Sequence, residues 1–403
     1  MRLIRLLLPV VGLLGSFSNV LAMPPEVVEK SAGGKPIGRE PASAVQPGKR
    51  NAAQEQSAAS HAILVSASLR EVCDSESLEP SEPEPERWLT YSGGDGPGSG
   101  KHIVLIAADQ EYRSEQSMPM LAKILSARHG FDCTVLFGVN PRGEVDPTMP
   151  VYPEKGKEAE FQQHHIPGLE KLASADLVIF CHRLLTLPPS ELKQIVDYVD
   201  SGKPILALRT ANHGFRSQLP YKIDGKQVRW GEDILGGTFL NHHGRWQADS
   251  TRGSLDPEHA QHPIVKGVTD IWGNSDVYRT YPEGSRLPSD CTPLVWGQPL
   301  MGRQPDDLPN ESLEPLPVAW VKPWRTSSGK TANVFHCTMG SASDFKNPGL
   351  RRLVVNAAYW CVGMESAISA DRSVEVIGDY QPLPSGFNYE ALGVVPRPVA
   401  FYK

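Results

Sequence analysis

The chain lacks what covalent chemistry at a strand end requires. After the apolar run Pro204-Ile205-Leu206-Ala207-Leu208 the sequence turns polar as Arg209-Thr210-Ala211-Asn212-His213-Gly214-Phe215, and neither Ser nor Cys stands at this turn. Open α/β sheets bind ligands outside the carboxyl ends of their strands, and hydrolases of that architecture hold a Ser or Cys there in a Gly-x-Ser/Cys-x-Gly elbow. Thr210 occupies the place of such a nucleophile, but no glycine flanks it to relieve the strained turn. Metal-site spacing is also missing. No His-Glu-x-x-His or His-x-His occurs, and the six cysteines (Cys73, Cys133, Cys181, Cys291, Cys337, Cys361) never fall at Cys-x-x-Cys spacing, which removes zinc-finger and thioredoxin-type readings. Cys181 beside His182, and Cys337 beside His336, continue apolar runs, so buried thiols are expected there rather than activated ones. There is no basic cluster, and 40 Lys and Arg stand against 46 Asp and Glu for a net charge of −6. Nucleic acid is therefore not an expected partner.

Long hydrophobic runs are absent except at the N-terminus. Arg2 and Arg5 precede an apolar stretch from Leu6 to Leu14, and small residues with Val20-Leu21-Ala22 follow. This is the layout of a secretory signal peptide over residues 1–22, too short to remain as a spanning helix. The protein is accordingly expected to be exported, to the periplasm or the exterior, with no membrane span after cleavage. Residues 23–100 are rich in Pro, Ser, Glu, Ala and Gly, including Glu79-Pro80-Ser81-Glu82-Pro83-Glu84-Pro85-Glu86. Such a stretch buries too little apolar surface to offset its ordering entropy, and is expected to be a disordered spacer.

From 101 to 363 strand and helix signals alternate. Short apolar runs at His102–Ala107, Cys133–Val139, Asp176–Cys181, Pro204–Leu208 and Val334–Cys337 predict strands. Met118, Leu121, Ile124 and Leu125 share a helical face before Gly130, as do Leu192, Ile195, Val196 and Val199 before Gly202. Asn347-Pro348 opens a last helix that should bury Leu350, Leu353, Val354, Ala357 and Trp360. Near-continuous apolar strands between amphipathic helices predict a doubly wound, mainly parallel α/β sheet covered on both faces. The stretch 215–317 breaks the rhythm and is expected to be a loop-rich insertion with two Trp-containing strands, Thr292–Gly297 and Val318–Val321. Residues 364–403 form an extended tail with Tyr380, Phe387, Tyr389, Phe401 and Tyr402. It either wraps over the domain or meets a partner chain, and homo-oligomerisation stays open.

Polar residues at the ends of parallel strands should converge. Asp109, Glu111, Arg209 and His213 are the candidate catalytic groups, the carboxylates and His213 for acid/base work and Arg209 to orient a ligand with its planar fork. Asp109 and Glu111 have an alternative use as caps of the following helix. Tyr112, Asn212, His242, Asp276, Tyr278 and His336 are the candidate substrate-binding residues. His242 and His243 are adjacent, so in an extended segment only one can face the site. If the insertion folds back over the strand ends, His213, His242 and Asp109 could meet around a divalent metal such as zinc. Trp230, Trp246 and Trp272 offer either sugar-stacking surfaces or ordinary core.

Six motifs in order carry a resemblance. They are Arg209-x-x-x-His213, Gly236-Gly237-x-Phe239-x-x-His242, His262-Pro263-Ile264-Val265-Lys266-Gly267, Asp276-x-Tyr278, Pro317-Val318-Ala319-Trp320, and Phe335-His336-Cys337-Thr338-Met339-Gly340. With them the chain resembles the ThuA-like (trehalose-utilisation) family. The resemblance implies a class I glutamine amidotransferase-like, flavodoxin-type fold without the amidotransferase cysteine, a role with trehalose or oxidised disaccharides, and His213, His242, Asp276 and Tyr278 as pocket residues. The family often places His directly after the fourth strand and in a Gly-His pair after the last, where this chain has Arg209 and Gly340-Ser341; its Asp-Glu-x-Tyr pattern here reads Asp276-Val277-Tyr278. Two functions follow: an exported enzyme acting on a small carbohydrate by non-covalent acid/base or metal-assisted chemistry, or a non-catalytic carbohydrate-binding or cell-surface module.

Overall fold

The computed structural model describes residues 86–403. The expected signal peptide and most of the expected spacer lie outside the described residues. Along the chain run β1 (Leu89–Tyr91), β2 (His102–Ala108), α1 (Ser114–His129), β3 (Asp132–Phe137), β4 (Leu177–His182), α2 (Pro189–Asp200) and β5 (Ile205–Leu208). They continue with β6 (Ser250–Leu255), β7 (Trp272–Gly273), β8 (Thr292–Leu300), β9 (Leu316–Arg325), β10 (Thr331–Cys337), α3 (Pro348–Cys361) and the single turn α4 (Tyr389–Leu392). The ten strands form one sheet in the order β1-β3-β2-β4-β5-β10-β9-β8-β6-β7.

Its centre is the expected parallel array, β3-β2-β4-β5-β10. Alternation along each strand explains the two covered faces. Ile103, Leu105 and Ala107 of β2, Ile179 of β4 and Leu206 of β5 pack with Leu121 and Leu125 of α1 and Leu353 and Ala357 of α3. Their neighbours Val104, Ile106, Val178, Phe180 and Ile205 pack on the opposite face with Ile195 and Val199 of α2 and with Trp230. Fully buried side chains of this size each stabilise the fold by about 1.5–3 kcal/mol. The last helix is capped as its sequence requires, the Asn347 side chain accepting from Leu350 N at 2.8 Å. Trp360, however, is only partly buried, lying against the His262 ring at 5.6 Å.

Three features differ from the sequence expectations. The ordered fold starts before Gly100, because β1 pairs antiparallel with β3 and Gly96 packs so closely on Gly130 that a Cβ on either would strike backbone. The insertion is more than loops. Besides the two Trp-containing strands, both longer than expected, it adds β6 and β7, so that β9, β8, β6 and β7 extend the parallel array as an antiparallel wing. The sequence of β6, Ser-Thr-Arg-Gly-Ser-Leu, has no apolar alternation to announce it, and its pairing with β8 supplies the order instead. Finally, Asp109 caps the turn after β2 rather than α1 itself. Its Oδ1 accepts from the amides of Glu111 and Tyr112, each at 2.7 Å, while α1 begins one residue after Arg113 in a left-handed conformation.

The described cysteines Cys133, Cys181, Cys291, Cys337 and Cys361 are free and buried, and burial pushes the Cys337 thiol up to about 12. Neither Cys-His neighbour pair therefore offers a thiolate near neutral pH. Among the described residues no helix is long and apolar enough to cross a membrane.

Buried histidines link stability to pH. Burial lowers His129 and His164 to about 4, and His182 and His336 to about 3. Unfolded, each takes up a proton near pH 6.5, so their contribution is complete above about 6.5 and is lost as pH falls towards the folded values. Glu115 works the other way: burial raises it to about 7, so its contribution is lost as pH rises through that value. Glu111 is also raised by burial and acts in the same direction as Glu115. Four histidines outweigh two carboxyls, and Tm should fall by at least about 5 °C between pH 7 and pH 5. A scanning calorimetry series that shows no fall would mean these rings are not held neutral.

Candidate functional site

The turn after β5 is built around a buried cation. Arg209 is 1% exposed and sits at φ 45°, a left-handed conformation at the place where a nucleophile elbow would be strained. Its backbone is held on both sides, Arg209 N donating to Met339 O at 3.2 Å and Tyr278 OH donating to Arg209 O at 2.7 Å. The guanidinium Nη1 donates to Asp276 O and Thr338 O, and Nη2 donates to Asp276 Oδ1 at 2.9 Å and to Tyr112 OH at 3.0 Å. The rings of Tyr112 and Tyr278 lie 4.4 and 5.0 Å from its Cζ. Burial opposes its charge, but Tyr112, Asp276 and Tyr278 more than offset this and keep it protonated.

Asp276 carries that arrangement outward. Burial opposes its charge too, yet hydrogen bonding to His242 and the Arg209 guanidinium hold its carboxyl below the usual carboxylate range. Oδ2 lies 2.7 Å from His242 Nδ1. A carboxylate can only accept, so Nδ1 carries the hydrogen and Nε2 is left as the free nitrogen. A short antiparallel ladder sets this geometry, Tyr278–Arg279 pairing with Asn241–His242 so that Tyr278 lies opposite His242. The His242 side chain is 36% exposed. Its neighbour His243 points the other way, buried, with Nε2 2.8 Å from Glu314 O.

His213 is half-buried on the same rim. Nδ1 lies 2.8 Å from Asn212 Oδ1, and the ring packs 5.1 Å from Phe239, which is also 5.1 Å from the His242 ring. Burial, then Arg183 and Arg209, lowers its pKa well below the usual imidazole value. It is therefore a neutral acceptor near pH 7. The ring of His182 fills the space under Gly214, where a Cβ would collide with its Nε2.

Glu111 is 4% exposed. Oε1 accepts from Trp246 Nε1 at 2.7 Å, and Oε2 lies 3.3 Å from Arg183 Nε. Burial raises its pKa, with Arg183 opposing. Trp246, 41% exposed, lies 6.2 Å from the His242 ring.

The candidate residues thus divide into two layers. Asp109, Tyr112, Arg209, Asn212, Asp276 and Tyr278 are buried at the strand ends and spend their polar atoms largely on one another. Arg209 is a structural cation here, not a free ligand-orienting group. Asp109 is likewise engaged, its Oδ2 accepting from Thr210. His336 is fully buried within the sheet under Trp320, with Nδ1 3.1 Å from Ala207 O, so it lies beneath the site rather than lining it. The accessible layer is His213, His242, Phe239, Trp246 and Arg183, with Glu111 holding the last two. Arg183 follows directly on β4 and was not among the candidate site residues, and Trp246 was grouped with Trp230 and Trp272. Trp230 is core, bonded to Ala211 O, and Trp272 lies at the sheet edge. Among the described residues no three His, Cys, Asp or Glu side chains are grouped to hold a metal ion.

Removing the Asp276 charge leaves Arg209 buried without its counter-ion, which typically costs about 3–5 kcal/mol. Asp276→Asn should lower stability by that amount in urea unfolding, and adding Arg209→Met should recover part of it. A loss below about 1 kcal/mol would show that the pair does not organise the turn.

A family model described as ThuA, trehalose utilisation, matches residues 144–361, more than half of the chain. No curated protein matches it. Among solved structures, the chain is similar to a putative ThuA-like protein from Bacteroides uniformis at 16% identity, covering 67% of this chain and 94% of that one with a TM-score of 0.40. A putative ThuA-like protein from Parabacteroides merdae is 14% identical over 75% of this chain and 99% of that one, with a TM-score of 0.39. With the six motifs now placed on a doubly wound sheet, and the family model covering most of it, the chain belongs to the ThuA, trehalose-utilisation, family.

Proposed function

We propose that the protein is an exported enzyme of sugar utilisation that moves a proton on a bound sugar derivative, with His242 as the acid/base group. The observation that carries this is the buried line Arg209–Asp276–His242, in which an ionised carboxylate orients an imidazole whose other nitrogen is exposed on the rim. Export is supported by the charged and apolar pattern of residues 1–22.

In this reading His242 Nε2 takes the proton. Asp276 stabilises the imidazolium that forms, as the carboxylate of a catalytic triad does. Arg209 keeps Asp276 ionised, so the proton stays on the imidazole. Neutral His213 accepts a hydrogen bond from a sugar hydroxyl, Arg183 donates to a sugar oxygen, and Trp246 offers its face to a pyranose ring. Glu111 acts through Trp246 and Arg183, and is a positioning residue.

The test is solvent deuterium uptake, followed by NMR, into trehalose and into trehalose oxidised to a ketone at one ring carbon. Wild-type protein should exchange hydrogen beside the ketone, and His242→Gln should slow this by about 100-fold or more while melting like the wild type. Full exchange in His242→Gln would overturn the assignment. Binding without exchange in the wild type would favour a carbohydrate-binding module. Exchange lost on chelation and restored by zinc would favour metal-assisted chemistry.

A further inference from the structure

The tail resolves one of the alternatives left open by its sequence: it crosses the strand ends of its own domain. Tyr380 OH donates to Ala342 O at 2.8 Å, and Leu383 N donates to Gln116 Oε1 at 2.8 Å. Gly386 is bound most firmly, its N donating to Glu111 O at 2.9 Å and its O accepting from the buried Arg113 Nη2 at 2.6 Å. Gly386 has φ 119°, a backbone conformation that residues with a side chain rarely adopt, which favours glycine here. Tyr389 then lies under the Arg113 guanidinium, 5.5 Å from its Cζ.

Between these anchors the tail presents Phe387. Its ring is 40% exposed beside Trp246, itself 41% exposed, with centroids 6.1 Å apart and planes 31° from parallel. The Arg183 guanidinium lies 5.1 Å from the Phe387 ring and is tied to Glu111, which also holds Trp246. A strap serving only to cover the strand ends would gain by turning this ring inward. Instead the hydrogen bonds leave two neighbouring aromatic rings partly exposed, with a guanidinium over the Phe387 ring. The separation is too small to admit a sugar ring between them, and the rings follow His242 in series, His242 to Trp246 at 6.2 Å and Trp246 to Phe387 at 6.1 Å.

We infer that the tail is a wall of the sugar site and that Phe387 forms a second subsite, receiving the second ring of a disaccharide whose first ring lies on Trp246. This rests on the sugar-site reading above. It also makes Phe387 a specificity-determining residue supplied from outside the stretch matched by the family model, which ends at residue 361.

Calorimetric titration of the purified chain with trehalose and with D-glucose tests the inference. Phe387→Ala should weaken trehalose binding by about tenfold, the loss of one aromatic contact of about 1.4 kcal/mol. D-glucose, which needs only the first subsite, should change less than about twofold. Phe387→Trp should retain trehalose binding, and Trp246→Ala should weaken both sugars. If the wild type binds trehalose and Phe387→Ala binds it equally well, or loses both sugars alike, the second subsite is overturned while the sugar site stands. If the wild type binds neither sugar, both fall.

Discussion

The ion pair between Arg209 and Asp276 is the constraint on which the site depends. Both groups are almost wholly removed from water, an arrangement whose desolvation cost is repaid only when the remaining donors and acceptors are also satisfied. Here they largely are: the guanidinium bonds two backbone carbonyls, a tyrosine hydroxyl and the carboxylate, and the second carboxylate oxygen faces His242. The same contacts hold Arg209 in its left-handed conformation, worth about 1–3 kcal/mol of strain. One pair thereby joins the end of β5 to the insertion and fixes the direction of an imidazole on the surface.

In this arrangement a strand end that lacks a Ser or Cys nucleophile still directs an oriented imidazole to the rim. The left-handed residue at that strand end is a cation turned into the protein. Its charge reaches the surface indirectly, through Asp276. The rim itself is then left to groups that can meet a neutral polar ligand: a half-buried neutral histidine, an oriented histidine, an arginine and exposed aromatic faces. Such a mixture of flat apolar surface with a few convergent polar groups is what small-molecule recognition generally uses.

The central sheet was legible in the sequence because strands buried on both faces must be nearly all apolar, as Leu177–Cys181 and Ile205–Leu208 are. The wing was legible only in part. β8 and β9 carry tryptophans and β-branched residues, whereas β6 is polar and becomes a strand because β8 offers it a partner. At the site, the residue types at each strand end were visible and their burial was not. Nothing local distinguishes Asp109, whose oxygens are consumed by a turn and by Thr210, from Glu111, which steadies two rim residues.

By itself the sequence determined the parallel α/β core, the absence of a nucleophile after β5, the order of family motifs and the divergence of His242 from His243, because each follows from local pattern or from strand geometry. Tertiary structure decided the rest. It turned Arg209 inward, joined Asp276 to His242, sank His336 beneath Trp320 and brought Phe387 of the tail beside Trp246. These outcomes depend on which distant segments supply hydrogen bonds and counter-charges to groups that cannot be buried alone, and no spacing along the chain records that.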